Sequence, residues 1–216
     1  MNRLTLSITT LLLLATTTTR SSAQTPTSEE QLQEVVVLGK QKQKTLLRRG
    51  ARMPGGVAQL TPDQVEHEIG SALTVDDAAE VREITFDIVS NSIKGAVLSI
   101  AIYRDSTFTQ VLDTPFMVAI PQEKKQTISV VPNDPIRLGR GRYIIAVAFA
   151  DCDKEVREQW SEPSHWDDKQ HYTMLRQSCL QFPLHTKESY IRNGADDTFE
   201  KRNLNIGLKV KGCGVH

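Results

Sequence analysis

Apolar and polar residues alternate along most of the chain beyond residue 65. In VREITFDIVSN, residues 81–91, Ile84, Phe86 and Ile88 fall on one side of a two-residue repeat. Glu83, Thr85 and Asp87 fall on the other. That period predicts a half-buried strand. AVLSIAIYR, 96–104, repeats the pattern with Leu98, Ile100 and Ile102 on one face, after a turn-like Asn91–Gly95. FMVAI (116–120) and TISVV (127–131) read as two further strands. RYIIAVAFA (142–150) is apolar on both sides, as expected of a central strand. EHEIGSALTV (66–75), CLQFPL (179–184) and NIGLKVK (205–211) carry a weaker form of the signal. About eight short strands with frequent turn signals and no long βα alternation predict an all-β sandwich or barrel. Phe86, Tyr103 and Phe149 belong to its core.

One segment breaks this rhythm. Residues 151–178, DCDKEVREQWSEPSHWDDKQHYTMLRQS, are charged and aromatic. Val156 and Trp160 are four apart, as a helical face requires. The segment is therefore expected to be a long connection carrying a short helix. Trp160, Trp166, Asp167 and Tyr172 are its candidate ligand-binding residues, joined by Tyr190 further on. Sugar rings stack their C–H faces on aromatic side chains, and neighbouring acids and amides take the hydroxyls. The competing reading is that the same rings fasten the connection to the sandwich, since Trp and Tyr bury large areas.

The N-terminus changes the cellular picture. Arg3, an apolar run from Leu4 to Ala15 and the small residues Ser21-Ser22-Ala23 predict a secretory signal cut between Ala23 and Gln24. The apolar run is shorter than the roughly twenty residues of a membrane span, and no later stretch is apolar enough for a transmembrane segment. The chain is thus expected to divide into a signal peptide (1–23), a polar and basic arm with a short strand (24–64) and a β-sandwich domain (65–216). The arm holds Lys40, Lys42, Lys44, Arg48, Arg49 and Arg52 with no acid among them, whereas residues from Met53 onward carry 18 bases and 23 acids. An acidic body on an exported chain argues against nucleic acid. The basic stretch has two readings, a solvated or folded-back linker and a contact with anionic lipid or envelope polymer.

Three cysteines, Cys152, Cys179 and Cys213, allow one disulfide. If one forms, the expected pair is Cys152–Cys179, at the two ends of the long connection. Buried thiols are the alternative. No cysteine or histidine spacing matches a zinc site, so neither a metal nor a cofactor is expected.

The run ITFDIVSN…GAVLSIAIYR…PFMVAI…QTISV…PIRLGRGRYIIAVAFADCD…LQFPL…NIGLKVKG resembles a group of exported β-sandwich domains from Gram-negative envelope proteins. Such domains often follow a carboxypeptidase-like regulatory domain. The pieces SIAIYR and PIRLGRGRYIIAVAF are similar to a jelly-roll of the carbohydrate-binding-module type, so the resemblance implies a jelly-roll-like sandwich. EVVVLGK, residues 34–40, resembles the segment that follows such a regulatory domain in TonB-dependent outer-membrane receptors. Only about ten residues separate it from the expected cleavage site, where the resemblance implies a whole domain. Its Val35, Val36 and Val37 are strong strand formers. They are expected to pair either with an edge of the same sandwich or with another protein.

Little in the sequence points to catalysis. Ser71 lies outside a Gly-x-Ser-x-Gly elbow. Asp151, Asp153 and Glu155 read as a solvated acidic turn rather than a calcium loop. His165 and His171 match no metal interval. Cys152 as a nucleophile would need a lowered pKa and a nearby base. The expectation is a non-enzymatic exported envelope protein, at the periplasm or cell surface of a Gram-negative bacterium, that acts as an accessory or assembly module through contacts with an envelope protein partner. The alternative is a carbohydrate-binding module using the aromatic connection, and a hydrolase with an unrecognised site is a third reading.

Overall fold

The computed structural model describes residues 42–162, 165–194 and 197–215. Ala23, Gln24 and Val35 to Val37 lie outside them. The first strands along the chain are β1 (Lys44–Leu47), β2 (Ala51–Leu60), β3 (Glu68–Val75) and β4 (Ala79–Asn91). β5 (Val97–Arg104), β6 (Phe116–Ala119), β7 (Lys124–Val130), β8 (Ile136–Leu138) and β9 (Gly141–Asp151) follow. Two helices, α1 (Lys154–Gln159) and α2 (Asp168–Gln177), precede β10 (Leu180–Arg192), β11 (Glu200–Asn205) and β12 (Lys209–Gly214). The all-β class stands, with twelve strands among the described residues rather than about eight, and two helices rather than one.

The strands form one antiparallel network with the order β1-β12-β4-β10-β3-β9-β5-β6. Its two longest members, β4 and β10, change partners partway and fold the network over on itself. One edge of β4 pairs with β12 over residues 79–85 and with β10 at Ser90 and Asn91. The other edge pairs with β8 over 79–81 and with β7 over 84–90. β10 pairs with β2 and β4 in its first half and with β11 and β3 in its second. Its register with β2 shifts between Pro183 and His185, where Pro183 has no N–H to give to the ladder.

Ile84, Phe86 and Ile88 of β4 pack in one core with Leu98, Ile100 and Ile102 of β5 and Ile145, Val147 and Phe149 of β9. β9 lies between β3 and β5, so its other face is covered too. There Ile144 and Ala146 meet Ala101, Tyr103, Tyr190 and Phe199 in a second, smaller core. This is why residues 142–150 read as apolar on both sides.

Residues 44–60, placed by the sequence in the N-terminal arm, supply two strands of the sheet. β1 runs beside β12, and β2 beside β10. Leu47 and Leu60 anchor them in the main core. Neither strand shows clean alternation, because each lies outside the central layers and buries only one end.

Candidate functional site

The connection between β9 and β10 is fastened from beneath. α1 buries Val156, and Trp160 ends the helix as its C-cap. The Val156–Trp160 spacing seen in the sequence is thus a buried helical face. Trp160 is only 3% exposed, and its indole Nε1 is buried without a hydrogen-bond partner. Trp166 stands edge-on to it, ring centroids 4.9 Å apart, and packs half-buried against the main core. The Trp pair is therefore an anchor, and Trp160 is no platform for a sugar. Tyr190 is likewise buried, in the second core.

Asp167 has a structural task. Its side chain accepts from the Gln170 backbone N–H at 2.7 Å, while Gln170 Oε1 accepts from the Asp167 N–H at 2.9 Å. This reciprocal capping box starts α2. The D-x-x-Q spacing was the sequence signal for this second helix. α2 buries none of its own residues; Met174 and Leu175 are partly covered against the core.

The exposed side of α2 separates two grooves. One, of about 510 Å³, is lined by Gln159, Trp166, Asp167, Gln170, Thr173 and Met174 among others. The second, of about 660 Å³, runs between α2 and the β4–β10 contact, past Gln59, Ser90, Lys124, Tyr172, Arg176 and Gln181. Tyr172 is 62% exposed, with the Arg176 guanidinium 5.8 Å from its ring centre. Gln181 Oε1 accepts from Ser90 Oγ at 2.9 Å, and the Gln181 side chain also hydrogen-bonds the Cys179 thiol. Of the four candidates from the sequence, Tyr172 presents its ring to solvent, Trp166 edges a groove, Asp167 caps and Trp160 is buried.

The acids singled out in the sequence have charged partners, whereas the Ser71 hydroxyl is buried without a hydrogen-bond partner. Asp151 pairs with Arg157, and Asp153 with Lys94 at 3.1 Å. His165 contacts Glu162 at 3.2 Å, and the ring of His171 lies 6.0 Å from that of Trp166. Among the described residues, no group of three or more His, Cys, Asp or Glu side chains is placed to hold a metal ion. Burial pushes the Cys152 and Cys179 thiols up, away from the thiolate form. No bridge joins these two; both are buried thiols. Each borders the β4–β5 turn on its own side: Cys179 exchanges hydrogen bonds with Ser92, and Asp153, next to Cys152, donates its N–H to Lys94. The buried Ile93 lies between those two contacts along the turn. No described helix is long and apolar enough to cross a membrane.

A second polar surface, of which the sequence marked only the basic stretch of the arm, covers the outer face of β1, β12, β4 and β7. Thr45, Lys211 and Glu83 form one cross-strand row; Lys209, Thr85 and Ser129 form the next; Asp87 and Thr127 form a third. Two hollows lie along these rows. The first, of about 600 Å³, includes Arg48, Arg49, Lys209 and Lys211 in its lining; the second, of about 450 Å³, includes Arg52, Asp87 and Lys125.

No family model matches this chain, and no curated protein does. Among solved structures it is similar to the clostridial cysteine protease Cwp84 after propeptide cleavage. Identity there is 12% and the TM-score 0.47, over 81% of this chain and 40% of that one. It is also similar to the cysteine protease and lectin-like domains of Cwp84, a surface-layer-associated protein of Clostridium difficile. That match has 12% identity and a TM-score of 0.42, over 69% of this chain and 32% of that one. The chain spans well under half the length of either structure, and an overlap this loose carries no functional assignment.

Proposed function

We propose that this chain is a non-enzymatic, exported envelope protein that works as an accessory module, and that α2 with its two flanking grooves is its contact surface. One observation carries the reading. α2 is a capped, ten-residue helix held from below by the Trp160–Trp166 anchor, while it presents Tyr172 to solvent between two hollows. A rigidly seated helix with an exposed aromatic residue suits contact with a partner. Tagged full-length protein, with Tyr172→Ala and Thr173→Arg variants, tests this by recovery from a Gram-negative envelope. A partner enriched by the parent and lost from both variants, at unchanged melting temperature, is the expected result. Identical recovery by all three forms would overturn the reading.

A carbohydrate ligand is the second reading. Its support is the exposed Tyr172 ring beside the amides of Gln59 and Gln181 and the hydroxyl of Ser90. Glycan analysis of the same recovered samples separates the two. A glycan released from the parent but absent from Tyr172→Ala favours the sugar.

A further inference from the structure

We propose that the outer face of β1-β12-β4-β7 is a binding surface for an acidic polysaccharide. The inference begins with charge. The two hollows on this face are lined by six cations, Arg48, Arg49, Arg52, Lys125, Lys209 and Lys211, and by two carboxylates, Glu83 and Asp87. From Met53 onward the chain is net acidic. The concentration of cations here therefore runs against the charge of the rest of the domain. It arises because β1 and the residues after it fold back onto the sheet, bringing Arg48 and Arg49 beside Lys209 and Lys211, while Arg52 at the start of β2 comes beside Asp87 and Lys125.

Both carboxylates are already engaged. Glu83 accepts from Lys211 at 2.7 Å and from Ser129 at 2.9 Å, and the lysine holds its carboxyl below the usual range. Asp87 pairs with Arg49 at 2.5 Å and accepts from Thr127 at 2.7 Å. Arg48, Arg52, Lys125 and Lys209 take part in none of the ion pairs among the described residues. Lys125 also holds a left-handed backbone, φ 54°, inside β7. A side chain on a strained strand position at a charged hollow is the kind of outlier found at ligand clamps.

The rest of the lining decides which polyanion fits. Thr45, Thr85, Thr127 and Gln126 set neutral hydroxyls and an amide among the cations, and Ile88, Val89 and Pro183 complete the lining. None of the exposed large apolar side chains lines either hollow. A bilayer surface would gain electrostatics alone, with nothing to insert. A chain of acidic sugars offers carboxylates to the cations and hydroxyls to the threonines. Four strands span roughly 14 Å between outermost axes, room for an extended segment of such a chain. The surface is separate from the α2 grooves, so this proposal stands or falls apart from the preceding one.

Polygalacturonate is the probe, with dextran as the neutral polymer and phosphatidylglycerol vesicles as the lipid alternative. Full-length protein should bind polygalacturonate, lose affinity steeply as salt rises from about 50 mM to about 200 mM, and ignore dextran. Arg48→Gln/Lys209→Gln removes two cations that no salt bridge uses, so folding should persist while affinity falls about five- to tenfold. Arg140→Gln, outside both hollows, should bind as the parent does. Absent binding, equal binding by Arg48→Gln/Lys209→Gln, equal binding of dextran, or a preference for the vesicles would each overturn the proposal.

Discussion

Glu68 and Arg192 face one another as directly paired residues of β3 and β10, with the guanidinium Nη2 2.6 Å from the carboxylate Oε2. Tyr103 completes the group: its hydroxyl donates to Glu68 Oε1 at 2.7 Å and accepts from Arg192 at 3.0 Å. The guanidinium also lies over the Phe199 ring at 4.7 Å. Charge and aromatic packing together pin Phe199, just ahead of β11, onto the outer face of the β3-β9-β5 layer.

Breaking this pair leaves a buried charge without its partner. Arg192→Met should cost about 3–5 kcal/mol in urea unfolding, and adding Glu68→Gln should recover part of that loss. Burial pushes the Glu68 carboxyl up, against the opposing pull of Tyr103 and Arg192. The folded state therefore holds this proton more tightly than the unfolded chain. The corresponding contribution is complete below the ordinary pKa of 4.5 and is lost as pH rises through the raised folded value. Glu68→Gln should remove that downward slope from a plot of unfolding free energy against pH. An unchanged slope would contradict the assignment.

The two aromatic residues at opposite ends of the connection should behave differently. Trp160→Ala opens a cavity under α1 and should destabilise by about 3–5 kcal/mol. It should also reduce the helical signal in circular dichroism, because Trp166 loses its edge-on partner. Tyr172 is largely exposed, so Tyr172→Ala should lie within about 0.5 kcal/mol of the parent. Equal losses from the two would mean that Tyr172 is also an anchor.

The thiols of Cys152 and Cys179 should resist reagents in the folded protein. Burial removes access and disfavours the thiolate in both. Alkylation at about pH 8 should be slow natively and fast in denaturant. Peptide mapping of unreduced protein should show neither residue in a disulfide. A Cys152–Cys179 bridge in that map would mean that the β4–β5 turn is displaced from its place between them.

Removing residues up to Leu60 should be far more damaging than removing residues up to Gln43. The longer deletion strips β1 from β12 and β2 from β10, takes Leu47 and Leu60 out of the core and leaves two open strand edges. Loss of cooperative unfolding or concentration-dependent association is expected by light scattering. Two truncations with the same melting temperature would contradict the placement of β1 and β2.

Period-two patterning located β4, β5, β7 and β9, because each has one face, or both, against a dry core and its sequence records that contact residue by residue. The anchoring pair Val156 and Trp160 was legible as a helical interval for the same reason. β1 and β2 were not, since outer strands bury few side chains: the four residues of β1 are too few to show a period, and β2 begins Ala-Arg-Met-Pro-Gly-Gly with no alternation to read. α2 escaped because it buries nothing of its own; only the Asp167–Gln170 capping interval marked it. The roles of Trp160, Trp166 and Tyr172 were equally undecidable in one dimension, since a ring that fastens and a ring that receives a ligand are the same residue type. Charge shows the same division. The excess of bases before Met53 is plain in the chain, but its meeting with Lys125, Lys209 and Lys211 depends on cross-strand register. Local periodicity reports what each residue is buried against, whereas a surface is assembled from residues whose only common property is the neighbour that the fold gives them.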